Sequence, residues 1–226
     1  MIGSSVGAFG AAEFWEEFYG ESGPWTGNPN AALVAELGER PLAPSTALDL
    51  ACGTGGDAIW LASTGWQVTG VDISSAALKT AATAAEAAGV GADIRWQQHD
   101  LETDFPEGSW NLVNVAYLHS PVALNRERIL QSAAGAVAPG GTLIIIIGHQ
   151  GTREWPPSDT GHAHGQHHHA EQAHSIHVLP TVDEVLAKLD LDGWQVVHTG
   201  DVTVTRATQD GTPRTHVDNV IRLQRE

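Results

Sequence analysis

Cysteine, lysine and long apolar runs are all scarce in this sequence. The single cysteine, Cys52, cannot form an intrachain disulfide, which is consistent with a reducing compartment, so we expect a cytoplasmic protein. The longest apolar run, residues 143–147, is much shorter than the roughly 20 residues that cross a bilayer. The N-terminus has no basic segment before an apolar one, so we predict no signal peptide.

Positive charge is scarce as well. The formal net charge is −16, and the chain has two lysines and nine scattered arginines. Since phosphate groups are bound by clustered Lys and Arg, we expect no nucleic-acid partner. Acidic membrane surfaces are disfavoured for the same reason, so we expect no membrane partner. A small molecule, a cation or a metal ion is the more natural partner, and the oligomeric state stays open.

The chain is long enough for one domain with a substantial core, since it has 226 residues, 42% of them hydrophobic, and eight tryptophans. Apolar strands alternate with helices along it, which predicts a doubly wound α/β fold. The predicted strands are 47–51, 67–71, 93–98, 110–116, 142–148, 194–205 and 215–223. The predicted helices are 11–20, 30–37, 57–63, 75–88, 122–137 and 182–189.

The most informative segment joins the first two of these strands. Strand 47–51 runs into a glycine turn at residues 53–56, and the strand after the next helix ends at Asp72. Glycines let the backbone approach a ligand that a Cβ would obstruct. An acid at the tip of the second strand can accept hydrogen bonds from both ribose hydroxyls. The segment therefore predicts a nucleoside-binding half-fold.

Four motifs resemble those of class I S-adenosylmethionine-dependent methyltransferases. Residues 49–55, Asp-Leu-Ala-Cys-Gly-Thr-Gly, resemble the first motif, with Ala51 in place of its usual first glycine. Residues 96–101, 109–116 and 138–147 resemble three later motifs in the same order. The resemblance implies a Rossmann-like, doubly wound seven-stranded sheet whose last strand is antiparallel, with S-adenosyl-L-methionine as cofactor. The cofactor-binding residues that it implies are Trp25, Asp49, Ala51, Gly53, Thr54, Gly55, Asp72, Ile73, Asp100, Leu101 and Ala116.

The first 40 residues resemble the tellurite-resistance and thiopurine methyltransferase branch, because an acidic aromatic helix precedes Pro24-Trp25 and a second helix. The resemblance implies that residues 1–40 fold over the cofactor, with Trp25 as a lid residue. The aromatic stripe of helix 11–20 has two interpretations, core packing and a ligand-binding face. Core packing is the commoner use of such a stripe.

Residues 149–180 do not resemble ordinary methyltransferase chain. Seven of the twelve histidines lie within residues 162–177, in what we interpret as a loop over the active site, at the carboxyl edge of the sheet. Imidazole binds Cu²⁺, Ni²⁺ and Zn²⁺, so a divalent metal is a candidate second cofactor. Specific binding, adventitious binding and no metal role all stay open. The candidate ligands are His162, His164, His167, His168, His169, His174 and His177.

Methyl transfer from a sulfonium requires mainly proximity and orientation, and a base only where the acceptor arrives protonated. His119 and His149 follow the fourth and fifth strands and are candidate bases, and Tyr117 is a candidate orienting residue. Both histidines have the alternative of being hydrogen-bonding wall residues. The acceptor could be a thiol, a chalcogen, a halide, an imidazole or an amine. A metal-binding or metal-buffering protein on a methyltransferase scaffold is the alternative function.

Overall fold

The computed structural model describes residues 10–20, 27–150, 154–155, 177–207 and 213–226. Seven strands form the main sheet, in the order β3-β2-β1-β4-β5-β9-β8, and two further short strands, β6 and β7, pair with each other. The strands are β1 (Thr46–Leu50), β2 (Gln67–Asp72), β3 (Ile94–Gln98), β4 (Trp110–Ala116), β5 (Val137–Gln150), β6 (Glu154–Trp155), β7 (His177–Val178), β8 (Trp194–Ala207) and β9 (Pro213–Arg225).

The direction of the strands agrees with the predicted fold. Strands β1 to β5 are parallel, and β9 pairs antiparallel with both β5 and β8. The last strand of the chain is thus the antiparallel one. The doubly wound α/β prediction, with its seven-stranded sheet, is confirmed.

Helices cover both faces of this sheet. They are α1 (Ala11–Gly20), α2 (Ala31–Glu39), α3 (Gly56–Ser63), α4 (Ser75–Ala87), α5 (Arg126–Gly135) and α6 (Val182–Leu186), with a 3-10 turn at Gly91–Asp93. Side chains of Asn30, Ser74, Asn125 and Thr181 cap α2, α4, α5 and α6 by accepting a backbone N–H in the first turn.

Strand β5 shows why the sheet needs helices on both sides. Its apolar residues alternate between two buried clusters, because successive side chains of a strand point to opposite faces. Ile145 packs in one cluster with Ile129 of α5, and Ile144 packs in the other with Leu61 of α3. A strand buried on both faces reads as a continuous apolar run, which is what residues 143–147 are.

Several predicted boundaries were wrong. The helix predicted over 122–137 begins at Arg126, because the Asn125 side chain caps the backbone N–H of Arg128 at 3.1 Å, and it ends at Gly135. The strand predicted over 142–148 begins earlier, at Val137, where it pairs with Trp110 before a register shift. The helix predicted over 182–189 ends at Leu186.

The predicted loop 149–180 contains paired backbone. Strand β5 continues through residues 149 and 150, and β6 then pairs antiparallel with β7, with Trp155 opposite His177. This pairing brings together the two ends of the histidine-rich segment 156–176, which itself lies outside the described residues. In the part of the chain that the structure describes, no helix is long and apolar enough to cross a membrane. The cytoplasmic location stays a prediction.

A buried ion cluster ties α2 to the last two strands. The side chain of Glu36 is 1% exposed and lies 3.3 Å from Nη1 of Arg222 and 2.9 Å from Nη1 of Arg40. Nδ1 of His198 is 2.8 Å from the same carboxylate. Arg222 also donates to the backbone carbonyl of Arg40 at 2.7 Å. One buried acid on α2 thus joins three basic side chains, those of Arg40 at the C-cap of α2, His198 on β8 and Arg222 on β9.

We predict that Glu36→Ala strongly destabilises the fold, because it leaves the Arg222 guanidinium buried without its carboxylate. Loss of one partner of a buried ion pair costs about 3–5 kcal/mol. Urea unfolding followed by tryptophan fluorescence measures the change. The control is Glu39→Ala, since Glu39 pairs with the same Arg40 at 3.4 Å but its side chain is 71% exposed. That variant should lose less than about 0.5 kcal/mol, and equal losses in the two variants would contradict the prediction.

Candidate active site

The glycine turn after β1 is tightly packed and has three residues in the left-handed backbone region. These are Ala51 at φ 53°, Gly53 at φ 53° and Gly55 at φ 82°. A Cβ on Gly55 would lie 2.7 Å from the Trp96 ring, and one on Gly53 would lie 2.8 Å from the hydroxyl of Tyr19. Gly55 therefore faces the protein interior, and Gly53 faces the cleft that Tyr19 lines.

Asp72 lies against this turn, as the sequence predicted. The carboxylate is 5% exposed and accepts the backbone N–H of Gly53 at 2.8 Å and that of Ser74 at 2.9 Å. Burial raises the pKa of Asp72, and the backbone N–H donors partly offset that effect. The tip of β2 thus presents a carboxylate beside the backbone of the glycine turn.

Two further carboxylates, those of Asp49 and Asp57, line the same cleft. Asp49 is buried in β1, and its Oδ1 accepts Nδ2 of Asn114 at 2.8 Å. The same Asn114 nitrogen lies 3.1 Å from Asp57, and Asp57 also accepts the backbone N–H of Asn30. Burial, followed by the nearby Asp57 carboxylate, raises the pKa of Asp49 well above its ordinary value. Sequence reasoning identified Asp49 and missed Asp57 and Asn114, because amide and acid side chains in a strand and a helix carry no motif.

The N-terminal helix closes one side of the cleft. Glu16 of α1 accepts hydrogen bonds from Oγ of Ser74 at 2.8 Å and Oγ of Ser75 at the start of α4. The Ser75 hydroxyl is the main reason that the pKa of Glu16 is lowered. Trp15 and Tyr19 of the aromatic stripe line the cleft. Trp15 and Tyr19 therefore face the candidate site, as the ligand-binding interpretation of the stripe expects, while their rings also pack against Phe14 and Phe18.

Burial also shapes two groups at the centre of the cleft. Burial is the main cause that raises the pKa of the Tyr19 hydroxyl, and the Asp72 carboxylate adds to it. Burial likewise raises the pKa of the Cys52 thiol well above its ordinary value. A thiol that resists ionisation is a poor nucleophile, which supports a packing role for Cys52.

Three of the residues that the resemblance implies as cofactor-binding line the cleft together after β2 and β3. They are Ile73, Asp100 and Leu101. Asp100 accepts the backbone N–H of Glu102 at 3.0 Å, which shapes the loop after β3. His99 and Glu102 line the same wall and were missed by sequence reasoning. Thr54 and Ala116 also line the cleft, and Gly55 packs against the Trp96 ring on the interior side of the turn.

Two of the three predicted catalytic residues line the cleft beyond the end of β4. Tyr117 has a left-handed backbone at φ 52°, and its ring stacks on the His119 ring at 6.2 Å between centroids. His119 is 9% exposed. His149 lies within the extended β5 rather than after it, and its side chain is outside the described part of the structure.

The remaining predicted residues lie largely outside the described chain. Trp25 is one of them, and so are six of the seven metal candidates, His162, His164, His167, His168, His169 and His174. The backbone of His177 belongs to β7, and its side chain is not described. Within the described ranges, no group of three or more His, Cys, Asp or Glu side chains could hold a metal ion.

The sheet order, the glycine turn and the buried acid at the tip of β2 together form the fold and the turn that the sequence resemblance implies. Comparison with known proteins agrees, since residues 47–141 match the family described as a methyltransferase domain. The match covers 95 of the 226 residues. No match was found among curated proteins.

Solved structures with the same fold include three that cover nearly all of this chain. An enzyme that converts a disulfide bond into a thioacetal group during echinomycin biosynthesis has a TM-score of 0.70 and 23% identity, over 96% of this chain and 91% of its own. The N-methyltransferase NodS from Bradyrhizobium japonicum, solved with S-adenosyl-L-homocysteine, has a TM-score of 0.63 and 16% identity, over 96% and 99%. TehB from Haemophilus influenzae has a TM-score of 0.59 and 12% identity, and the match covers 94% of this chain and 67% of TehB. At these identities the likeness shows a shared fold.

The described residues fit S-adenosylmethionine. Five carboxylates line the cleft, and the lining includes no Lys or Arg in the part of the chain that the structure describes. A ligand that carries a sulfonium and an ammonium group suits such a lining, because opposite charges attract in a partly buried site. The Asp72 carboxylate beside a Cβ-free backbone suits a ribose diol. The tellurite-resistance and thiopurine branch is finer than these comparisons resolve, and it stays a prediction.

We predict that Ala51→Gly stabilises the protein, since a left-handed backbone costs an L-residue about 1–2 kcal/mol and costs glycine almost nothing. Glycine loses more entropy on folding, so the expected net gain is up to about 1 kcal/mol. Urea unfolding measures it. The control is Ala47→Gly in β1, the strand that Ala51 follows, where Ala47 is fully buried and the backbone is extended. The free energy of unfolding of this control should fall by about 1 kcal/mol, and a similar fall in Ala51→Gly would contradict the prediction.

We predict that Asp49→Asn stabilises the ligand-free protein near neutral pH. The pKa of Asp49 is raised in the fold, so its ionised form carries a burial penalty that the neutral amide avoids. The penalty is absent below the ordinary Asp value of 3.8, grows as the pH rises above that value because the unfolded chain ionises first, and is complete above the raised folded pKa. Asparagine still accepts Nδ2 of Asn114.

Asp49→Asn should therefore raise the free energy of unfolding by about 1 kcal/mol or more at pH 7, and the increase should vanish toward pH 4. Urea unfolding over a pH series measures it. The matched control is Asp190→Asn on the exposed surface, for which we expect no gain. A gain in Asp49→Asn that does not depend on pH would contradict the prediction.

Proposed function

We propose that this chain is an S-adenosylmethionine-dependent methyltransferase that acts on a small molecule, with the described cleft holding both the cofactor and the methyl acceptor. The observation that carries this proposal is the Asp72 carboxylate, buried at the tip of β2 and 2.8 Å from the Gly53 amide. The lining is acidic and lacks Lys and Arg among the described residues, which disfavours nucleic-acid acceptors. Helix α1 covers one side of the cleft and restricts it to small acceptors.

The residues of the cleft divide into cofactor and acceptor parts. Asp72 would accept the ribose hydroxyls, and Ile73, Asp100 and Leu101 would hold the adenine. The backbone of the glycine turn and the Asp49 carboxylate would face the amino-acid end. S-adenosylmethionine, when bound, supplies an already activated methyl group, so the protein mainly has to align the acceptor with it.

The acceptor part lies at the ends of β4 and β5. Tyr117 and His119 form its described wall, with Tyr117 orienting the acceptor and His119 accepting a proton where the acceptor carries one. His149 keeps its proposed role as an alternative base. Proteins with this fold act on different atoms, since the echinomycin-biosynthesis structure concerns a disulfide and NodS is an N-methyltransferase. Thiols, chalcogens, halides, imidazoles and amines are therefore the acceptor classes to test.

The histidine-rich segment is proposed as a metal-binding cover of the acceptor part. The pairing of β6 with β7 joins the two ends of this segment, and β6 follows β5 in the chain, which lies next to the β4 strand that leads to Tyr117. Seven histidines in residues 162–177 favour Cu²⁺, Ni²⁺ or Zn²⁺. A protein that binds or buffers metal on this scaffold is the second candidate function, supported by the same histidines.

One experiment tests both functions. Formation of S-adenosylhomocysteine is measured with a panel of thiols, chalcogen anions, halides, imidazoles and amines, using chelator-stripped protein with and without each metal. We expect turnover with at least one acceptor, and we expect Asp72→Ala to weaken cofactor binding at least about tenfold through loss of hydrogen bonds to a charged group. Calorimetry measures that affinity. Asp192→Ala, on the exposed surface, is the matched control and should bind normally.

The outcomes separate the alternatives. Unchanged affinity in Asp72→Ala would contradict the cofactor site. Turnover that requires one metal and is lost when His164, His167, His168 and His169 are replaced by Ala would support the metal-binding cover. Turnover without any metal would contradict it. Tight metal binding with no turnover on any acceptor would support the metal-buffering function.

A further inference from the structure

Tyr117 is held in an unfavourable backbone conformation by the elements around it. Its φ of 52° is left-handed, which costs a non-glycine residue about 1–2 kcal/mol. The backbone N–H of Tyr117 donates to the Ile146 carbonyl at 3.0 Å, and its own carbonyl accepts the N–H of His119 at 2.6 Å. Strain that is maintained by several contacts is typical of functional positions.

The side chain of Tyr117 is held as firmly as its backbone. The hydroxyl donates to Oδ2 of Asp218, a fully buried carboxylate on β9. The ring lies against Gly148 of β5, where a Cβ would come within 2.6 Å of Cε1 of the ring. Three neighbouring strands, β4, β5 and β9, therefore fix the position of this ring at the cleft.

The bond to Asp218 also fixes the direction of the hydroxyl. A carboxylate only accepts hydrogen bonds, so the hydroxyl proton points toward Asp218. Toward a ligand in the cleft, the Tyr117 oxygen can then act only as an acceptor. The described lining of the cleft carries five carboxylates and no Lys or Arg. A protonated amine brings N–H donors and a positive charge to this lining, whereas a thiolate, selenide or halide brings a negative charge that the carboxylates repel.

We propose that the Tyr117–Asp218 pair determines acceptor specificity and makes this site select an amine nitrogen over anionic acceptors. Asp218 is the positioning residue, and Tyr117 is the residue that touches the acceptor. This inference rests on the proposed small-molecule function. In the reaction the bound ammonium first loses one proton to water, the freed nitrogen lone pair forms the bond to the methyl carbon, and the carbon–sulfur bond breaks with its electron pair on sulfur, which leaves a methylated ammonium.

The test uses the full-length chain and two probes of matched shape, benzylamine and benzyl mercaptan, with iodide as a third acceptor. S-adenosylhomocysteine formation gives kcat and KM for each probe. We expect the unaltered protein to prefer benzylamine by at least about tenfold in kcat/KM. Tyr117→Phe should raise the KM for benzylamine about tenfold, the effect of one hydrogen bond to a charged group, and leave its kcat within about twofold. The KM for the mercaptan should change little.

Asp218→Asn is the second variant, because it keeps the shape of the side chain and weakens its hold on the hydroxyl proton. Like Tyr117→Phe, it should lower the ratio of kcat/KM for benzylamine to kcat/KM for benzyl mercaptan, in this case by about threefold. The matched control is Asp201→Asn. Asp201 is an exposed carboxylate on β8 that accepts a hydrogen bond from Nδ2 of Asn219 at 2.6 Å, so this variant weakens a different bond to β9 that does not line the cleft. Its probe preference should equal that of the unaltered protein.

The results distinguish failure of this inference from failure of the proposed function. A preference for the mercaptan or iodide, or no product from benzylamine while S-adenosylmethionine binds, overturns the selection of amines. Equal changes for both matched probes in Tyr117→Phe also overturn it, since that is what a general structural effect produces. Loss of S-adenosylmethionine binding in the unaltered protein would instead overturn the proposed function itself.

Discussion

The shape of the cleft depends on one hydrogen bond, which the backbone N–H of Gly53 donates to the Asp72 carboxylate at 2.8 Å. This bond connects the tip of β2 to the turn that follows β1, and a second bond to Ser74 positions the start of α4. Helix α1 is attached to the same place, because Glu16 accepts from Ser74 and Ser75. One buried acid thus organises the turn and two helices around the position proposed for the ribose.

Backbone strain is concentrated at the carboxyl edge of the sheet. Ala51 and Tyr117 are the non-glycine residues at positive φ in the described chain, and they follow the ends of β1 and β4. These strands are neighbours, with Leu50 opposite Val115. Parallel strands end together at this edge, where open α/β sheets bind ligands. The stability lost at both positions is consistent with a site that is shaped for a ligand rather than for the most stable fold.

Buried charge is used in two different ways in this protein. Around Glu36 it connects α2 to β8 and β9, and each charge has an opposite partner. In the cleft, Asp49 and Asp57 share the amide of Asn114 instead, and burial together with their mutual repulsion raises the pKa of Asp49. A cationic ligand would relieve that repulsion. The arrangement therefore favours the bound state at the expense of the free protein.

Local pattern was sufficient to predict the fold class, the glycine turn and Asp72, because each depends on residues that are close in the chain and on the regular spacing of strands and helices. The same pattern could not decide whether the aromatic stripe of α1 faces the core or the cleft, since both surfaces are apolar and both give helical periodicity. It also could not find the pairing of Tyr117 with Asp218, which are 101 positions apart, or of Glu36 with Arg222, 186 apart. Only the packing of α2, β4, β5 and β9 brings these side chains within bonding distance.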